Sequence, residues 1–231
     1  MTRAVLLDIE GTTTSLSFVH DILFPYAAAH LAGFVREHRD EPRVARLLAD
    51  ARAYAGGDLD DTALIERMRA WMDADQKITP LKALQGLIWE HGYEKGDFRG
   101  HVYPDVPEAL RRWKDAGIDL YIFSSGSVHA QKLLFGHTDA GDLNPLFSGY
   151  YDTRIGGKRD ADSYRRIAAE IGLPPEQILF LSDRPEELDA AALTRMHTAA
   201  VLREGVEGPF GHHRSFPDFA AVMPEAMARG R

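Results

Sequence analysis

The chain has 231 residues, a formal net charge of −8 and no cysteine. The missing thiols exclude disulfides, zinc–thiolate sites, iron–sulfur clusters and thiol nucleophiles. The acidic balance argues against a nucleic-acid partner, which wants a basic stripe. With 45% hydrophobic and 27% charged residues, the chain reads as soluble and globular, one sizeable domain or a core carrying a smaller one. No run approaches the roughly 18–20 apolar residues of a membrane helix, and Met1 to Leu7 holds no signal-peptide core. A cytoplasmic protein with no membrane partner is expected, and a monomer, because no apolar stripe is left over.

The first element is a short apolar run, Arg3 to Leu7, ending at Asp8-Ile9-Glu10-Gly11-Thr12-Thr13-Thr14. Such a run, closed by polar residues and Gly, reads as a buried strand of a parallel sheet. Residues 15–101 then hold no clear strand. Apolar positions recur at helical spacing over 18–24, 26–35, 44–54, 63–72 and 81–89, with Gly56-Gly57 and Thr79-Pro80 as punctuation. This is an insertion of four or five helices. Pro107 to Ala116 reads as a helix stopped by Gly117, and Ile118 to Phe123 as a strand ending in Ser124-Ser125-Gly126-Ser127. Gly149 to Tyr151 is short and ambiguous. A helix over 160–171 follows, then a strand over 178–181 ending in Ser182-Asp183, a helix over 185–193 and a last strand over 198–202. After Arg203 the chain reads as loop and a fraying final helix. His212-His213 lies there as a loop pair, since no carboxylate is spaced to share a metal with it. The alternation predicts an α/β fold, a doubly wound parallel-sheet core (1–14 and 102–231) carrying an inserted all-helical cap domain (15–101).

In an open α/β sheet, ligands sit beyond the carboxyl ends of the strands. Asp8 and Glu10, Ser124 and Ser125, and Asp183 all follow strand-like runs. Lys158 lies in a Gly-rich segment before a helix. Each has a plain alternative: a turn-forming Asp, a turn serine, a solvated lysine, an N-cap. Together, in this order, they suit phosphoryl transfer. Asp8 and Asp183 supply hard oxygen ligands for Mg²⁺. Lys158 and the cation offset the repulsion between clustered carboxylates and a phosphate dianion. Ser124 and the amides near Ser125 can bind phosphate oxygens. Asp8 is the candidate nucleophile, forming an acyl phosphate, and Glu10 the acid–base group.

Asp8-x-Glu10-Gly11-Thr12, Ser124, Lys158 and Asp183, in that order, resemble the haloacid-dehalogenase-like phosphatase superfamily. Most of its phosphatases have Asp where this chain has Glu10. Asp8-Ile9-Glu10-Gly11-Thr12-Thr13 is similar to the enolase-phosphatase (acireductone synthase) family of methionine salvage. So are residues 81–89, 124–128 with 131–136, and 178–183. The resemblance implies enolisation of 2,3-diketo-5-methylthiopentyl-1-phosphate and removal of its phosphate, with one Mg²⁺ per chain. It implies Asp8, Asp183 and the Glu10 carbonyl as metal ligands, Ser124, Ser125 and Lys158 as substrate-binding residues, and Glu187 as an acid near the metal. The enolisation base stays open between Glu10, Asp8 and a residue of the inserted domain. There Lys82, Gln85, Trp89 and Glu90 are candidates for contact with the small phosphorylated diketone. The competing readings are a capped phosphatase for another small phosphate ester and a phospho-receiver signalling domain.

Overall fold

The computed structural model describes residues 1–204 and 208–227. It divides into two compact units, Met1–Leu16 with Gly100–Arg231, and Ser17–Arg99. The first unit is built on a six-stranded sheet: β1 (Ala4–Leu7), β2 (Asp119–Phe123), β3 (Gly149–Tyr151), β4 (Ile178–Ser182), β5 (His197–Val201) and β6 (Arg214–Phe216). Their order across the sheet is β3-β2-β1-β4-β5-β6, and every adjacent pair is parallel. Helices α5 (Val106–Asp115), α6 (Val128–Gly136), α7 (Ala161–Ile171) and α8 (Pro185–Ala192) belong to the same unit, and α9 (Pro224–Met227) closes the described chain.

All four residues of β1 and all five of β4 are buried. A parallel strand covered on both faces needs an unbroken apolar run rather than an alternating one. That is why AVLL and ILFL carry the signal so plainly. On one side of the sheet Phe123, Tyr164, Ile167 and Phe180 are fully buried and pack together. Each such side chain contributes about 1.5–3 kcal/mol through removal from water.

The second unit is helical. A π-helical stretch, Phe18–Leu23, runs into α1 (Phe24–His38), followed by α2 (Pro42–Ala55), α3 (Asp61–Asp73) and α4 (Thr79–Lys95). Pro stands in the first turn of α1, α2 and α4, where its missing N–H costs nothing. The Asp60 side chain accepts from the Ala63 N–H at 2.8 Å and starts α3. Leu31, Val35, Val44, Leu48, Leu64, Met68, Leu81 and Leu84 form this unit's own core.

One element had no assignment from the sequence, and two local readings need correction. Residues 128–136 form a full helix, and the Ser127 side chain caps it by accepting from Ala130 N–H at 3.2 Å. The stretch after Arg203 includes strand β6, short and mostly exposed, so no apolar run announced it; the fraying end of the last helix lies outside the described residues. Finally, Phe18–His38 is a helical run of 21 residues, long and apolar enough by length and composition to cross a membrane. Ala27, Leu31, Phe34 and Val35 on that run face into the helical unit's core, which accounts for its apolar character.

Candidate active site

The strand order reverses between β1 and β4, the switch point where open α/β sheets bind ligands. Asp8 follows β1 and Asp183 follows β4, so the switch point carries a carboxylate from each side. Asp8 is 3% exposed. Its Oδ1 accepts from the Ile9 N–H at 2.7 Å and from Lys158 Nζ at 2.5 Å. Lys158 Nζ also lies 2.6 Å from Glu187 Oε2. The Ser182 hydroxyl sits between the same two acids, 3.3 Å from Asp8 Oδ2 and 3.1 Å from Glu187 Oε2. One ammonium and one hydroxyl thus tie together side chains from β1, β4 and α8.

Asp183 is held by Thr12, whose Oγ1 accepts from the Asp183 N–H at 3.0 Å. Arg184, not Asp183, occupies the N-cap position of α8, and no side chain caps that helix. The Asp183 carboxylate is therefore not engaged as an N-cap. It presses instead against Gly11, where a Cβ would stand 2.4 Å from Asp183 Oδ2, and Gly11 has φ +77°. Gly11→Ala is expected to displace Asp183 and lower activity by about tenfold or more, since a misplacement of about 1 Å in a site can cost about 10²-fold. A kinetic comparison at saturating metal checks this; unchanged kcat/KM would show that the loop yields without cost.

Lys158 is placed by its backbone. The Tyr164 hydroxyl donates to the Lys158 carbonyl at 2.7 Å, and Ser163 Oγ donates to the Gly157 carbonyl at 2.8 Å. Tyr164 is fully buried in the core, so the lysine loop is pinned to packed structure. At the end of β2, the buried Ser124 donates its N–H to the Tyr151 carbonyl at 3.2 Å, and its Oγ accepts from Gly126 N–H at 3.2 Å. Gln131 Nε2 donates to the carbonyls of Gly126 (2.8 Å) and Tyr151 (2.9 Å), fixing the loop from behind. Ser125 in that loop is exposed. Glu10 is half-buried in the turn after Asp8, its backbone bridged to Thr14.

The structure brings Asp8, Lys158 and Glu187 into direct contact, and sets Asp183 one residue past Ser182. Ser124 and Ser125 sit one strand over, at the end of β2. Sequence reasoning missed Thr12, Ser182, Tyr164 and Arg203. Arg203 is 7% exposed; its Nε donates to the Thr12 carbonyl at 2.9 Å and its Nη1 pairs with Asp105 at 2.8 Å. It lies over the Tyr103 ring, 4.1 Å from the centroid. Through Thr12 it braces the segment that holds Asp183. No motif marked it, since it only follows a strand. Among the helical-unit candidates, Trp89 donates its indole N–H to the Leu23 carbonyl at 2.8 Å and packs on that unit's core. Gln85 is buried on α4. Both placements favour the packing role over a ligand role.

Charge in this cluster is unbalanced. Burial and then the nearby Asp8 push the Asp183 carboxyl up to about 6, and the same two causes push Glu187 up to about 7. Burial alone would lower Lys158, but Asp8 and Glu187 outweigh it and hold the ammonium above its usual range. A carboxyl whose folded pKa is raised binds more protons folded than unfolded, so stability falls as pH rises through the window between the two values. Lys158 loses its contribution only at alkaline pH, outside that window. In chelator, the melting temperature is expected to drop between pH 5 and pH 7, by about 2–4 °C per kcal/mol for a chain of this size. A divalent cation should reverse much of the drop. A flat profile in chelator would contradict the picture of competing buried acids.

Comparison with known proteins follows this geometry. The haloacid dehalogenase-like hydrolase family matches residues 2–194. A protein of Thioalkalivibrio sulfidiphilus named Enolase-phosphatase E1 is 65% identical over 222 residues, 96% of this chain and 99% of that protein. The chain belongs to the enolase-phosphatase E1 family. A Pseudomonas aeruginosa protein of the same name is 54% identical over 224 residues, covering 96% of this chain and 99% of that one. The crystal structure of the UTR4 protein of Saccharomyces cerevisiae superposes with a TM-score of 0.84 at 36% identity, covering 96% of this chain and 100% of that one. L-2-haloacid dehalogenase RSc1362 shares the fold, with a TM-score of 0.55 at 16% identity and 95% and 96% coverage. As a member of the enolase-phosphatase family the chain is a phosphatase, and the family implies a divalent metal ion. The residues fit such an ion: the buried carboxylates of Asp8 and Glu187 share one ammonium, the buried Asp183 carboxyl lies close enough to feel the charge of Asp8, and all three carboxyl groups are hard oxygen donors.

Proposed function

We propose that this chain enolises 2,3-diketo-5-methylthiopentyl-1-phosphate and then hydrolyses its phosphate ester, releasing acireductone and phosphate in methionine salvage, as a cytoplasmic monomer. The observation that carries the reading is the buried Asp8–Lys158–Glu187 contact at the switch point, with Asp183 just past the end of the adjoining strand β4.

Enolisation comes first, moving a C–H proton beside the ketone to a base while the phosphate stays attached. An Asp8 carboxylate oxygen then attacks phosphorus. The phosphorus–ester oxygen bond breaks, and Glu10 gives its proton to the leaving oxygen. In the second half, Glu10 takes a proton from water. The water oxygen attacks phosphorus, and the bond to Asp8 breaks, regenerating the carboxylate. Lys158 holds Asp8 Oδ1 so that the carboxylate keeps one orientation through both steps. Its charge, with the Ser124 and Ser125 groups, receives the phosphate oxygens. Asp8, Asp183 and the Glu10 carbonyl would hold one Mg²⁺, which when bound offsets charge on the phosphate and polarises the substrate carbonyl. Residues 15–101 are assigned as the cap domain.

Incubation with Mg²⁺ and the diketo phosphate, following ultraviolet absorbance and free phosphate together, tests the reading. An enol-like absorbance that forms and shifts as phosphate appears is the expected result. Phosphate release from generic esters, with no enol signal from the diketone, would reduce the activity to that of an ordinary capped phosphatase.

A further inference from the structure

The His212-His213 pair lacked a carboxylate in the sequence. The fold supplies one. Asp189, on α8, brings its carboxylate to His213, with Nε2 and Oδ1 3.0 Å apart. One ligand atom each from Asp189, His212 and His213 lie within 4.8 Å of one another. We propose that Asp189, His212 and His213 form a second metal site, distinct in chemistry from the oxygen cluster and selective for a borderline ion such as Zn²⁺.

Four features support it. First, the donor set is two imidazoles and one carboxylate, which suits zinc and its neighbours, whereas Mg²⁺ prefers oxygen alone. Second, the His213 side chain is 1% exposed, so its ring is held by packing. Its Nδ1 lies 2.7 Å from Thr198 Oγ1, which engages that nitrogen and turns Nε2 toward Asp189. A ring whose far nitrogen is engaged by an oxygen partner is the usual state of a metal-ligating histidine. Third, zinc–ligand bonds of about 2.0–2.1 Å in a tetrahedron separate ligand atoms by about 3.3 Å. The Nε2–Oδ1 pair is already near that spacing. Fourth, His212 and Asp189 are exposed, and the His212 ring centroid lies 4.1 Å from that of His213. A small side-chain rotation completes three protein ligands and leaves a fourth position for water. Bound there, the ion would clamp the approach to β6 onto α8, the helix that also carries Glu187.

The competing reading is an ion pair between His213 and Asp189 and nothing more. Calorimetric titration of the whole protein with Zn²⁺, in Mg²⁺ excess, separates the two, together with visible absorption of the Co²⁺-substituted form. The expected result is one tight equivalent and tetrahedral Co²⁺ bands. His212→Ala and Asp189→Asn should each lower affinity by roughly tenfold or more, and Thr198→Val by about tenfold. Phosphatase activity with Mg²⁺ should stay unchanged in His212→Ala and Asp189→Asn. Because His212 and Asp189 are exposed, these two variants should fold even where a change at His213 does not. Zn²⁺ affinity unaltered in both, or absence of a tight equivalent, would overturn the site and leave the ion pair alone. Failure of the enolase assay would not bear on this outcome.

Discussion

Asp8→Asn is expected to lower phosphate release by about 10⁴-fold or more, as loss of a covalent nucleophile does elsewhere, which is about 5.4 kcal/mol of barrier. The substitution keeps the shape of the side chain. Lys158 retains Glu187 at 2.6 Å, so no buried charge is stranded. The Ile9 N–H still meets an oxygen acceptor. Removing one of three crowded carboxylates also relieves the repulsion that raises Asp183 and Glu187. The melting temperature in chelator should therefore hold or rise while turnover collapses. Stopped-flow phosphate release and a thermal melt on one preparation check both halves. Near-native turnover would remove Asp8 from the nucleophile role, and a collapse in stability would show that its function is structural.

Lys158→Met is the second large effect, and it acts on stability as well as rate. The ammonium is the cation shared by Asp8 and Glu187, and it is nearly buried. Deleting one partner of a buried ion pair leaves uncompensated charge and costs about 3–5 kcal/mol. At about 2–4 °C per kcal/mol, the melt should fall by roughly 6–20 °C. Lys158→Arg should not rescue activity, because a planar fork cannot occupy the space of a point charge held at 2.5 and 2.6 Å. Lys158→Met combined with Glu187→Gln should regain part of the stability and none of the turnover. Recovery of activity in the double variant would mean that the lysine serves only to neutralise Glu187.

The sheet was legible because parallel strands are written as unbroken apolar runs, and β1, β2 and β4 each end in a residue with chemistry. The helical unit was legible through its 3.6-residue spacing. Strand β6 was not, since Arg-Ser-Phe at a sheet edge has neither length nor hydrophobicity. Asp8, Lys158 and Asp183 were named as candidates from their order along the chain and Glu187 from the family resemblance, but the contacts among them were not legible. Glu187 on Lys158 depends on how α8 leaves β4. The roles of Thr12 and Arg203 were invisible for the same reason: they act through long-range hydrogen bonds, Thr12 to Asp183 across 171 residues and Arg203 to Thr12 across 191 and to Asp105 across 98. The His212-His213 pair lies in a turn as read, but its nearby carboxylate, Asp189, comes from another element, and spacing along the chain says nothing of that.

The most direct test of the central claim is to trap the covalent intermediate. In a single turnover with the diketo phosphate and Mg²⁺, quenched in acid, peptide mass spectrometry should find one added phosphoryl group, on Asp8. Phosphoryl on another residue, or turnover with no phosphorylated peptide in a series of quench times spanning the reaction, would contradict an Asp8 aspartyl phosphate.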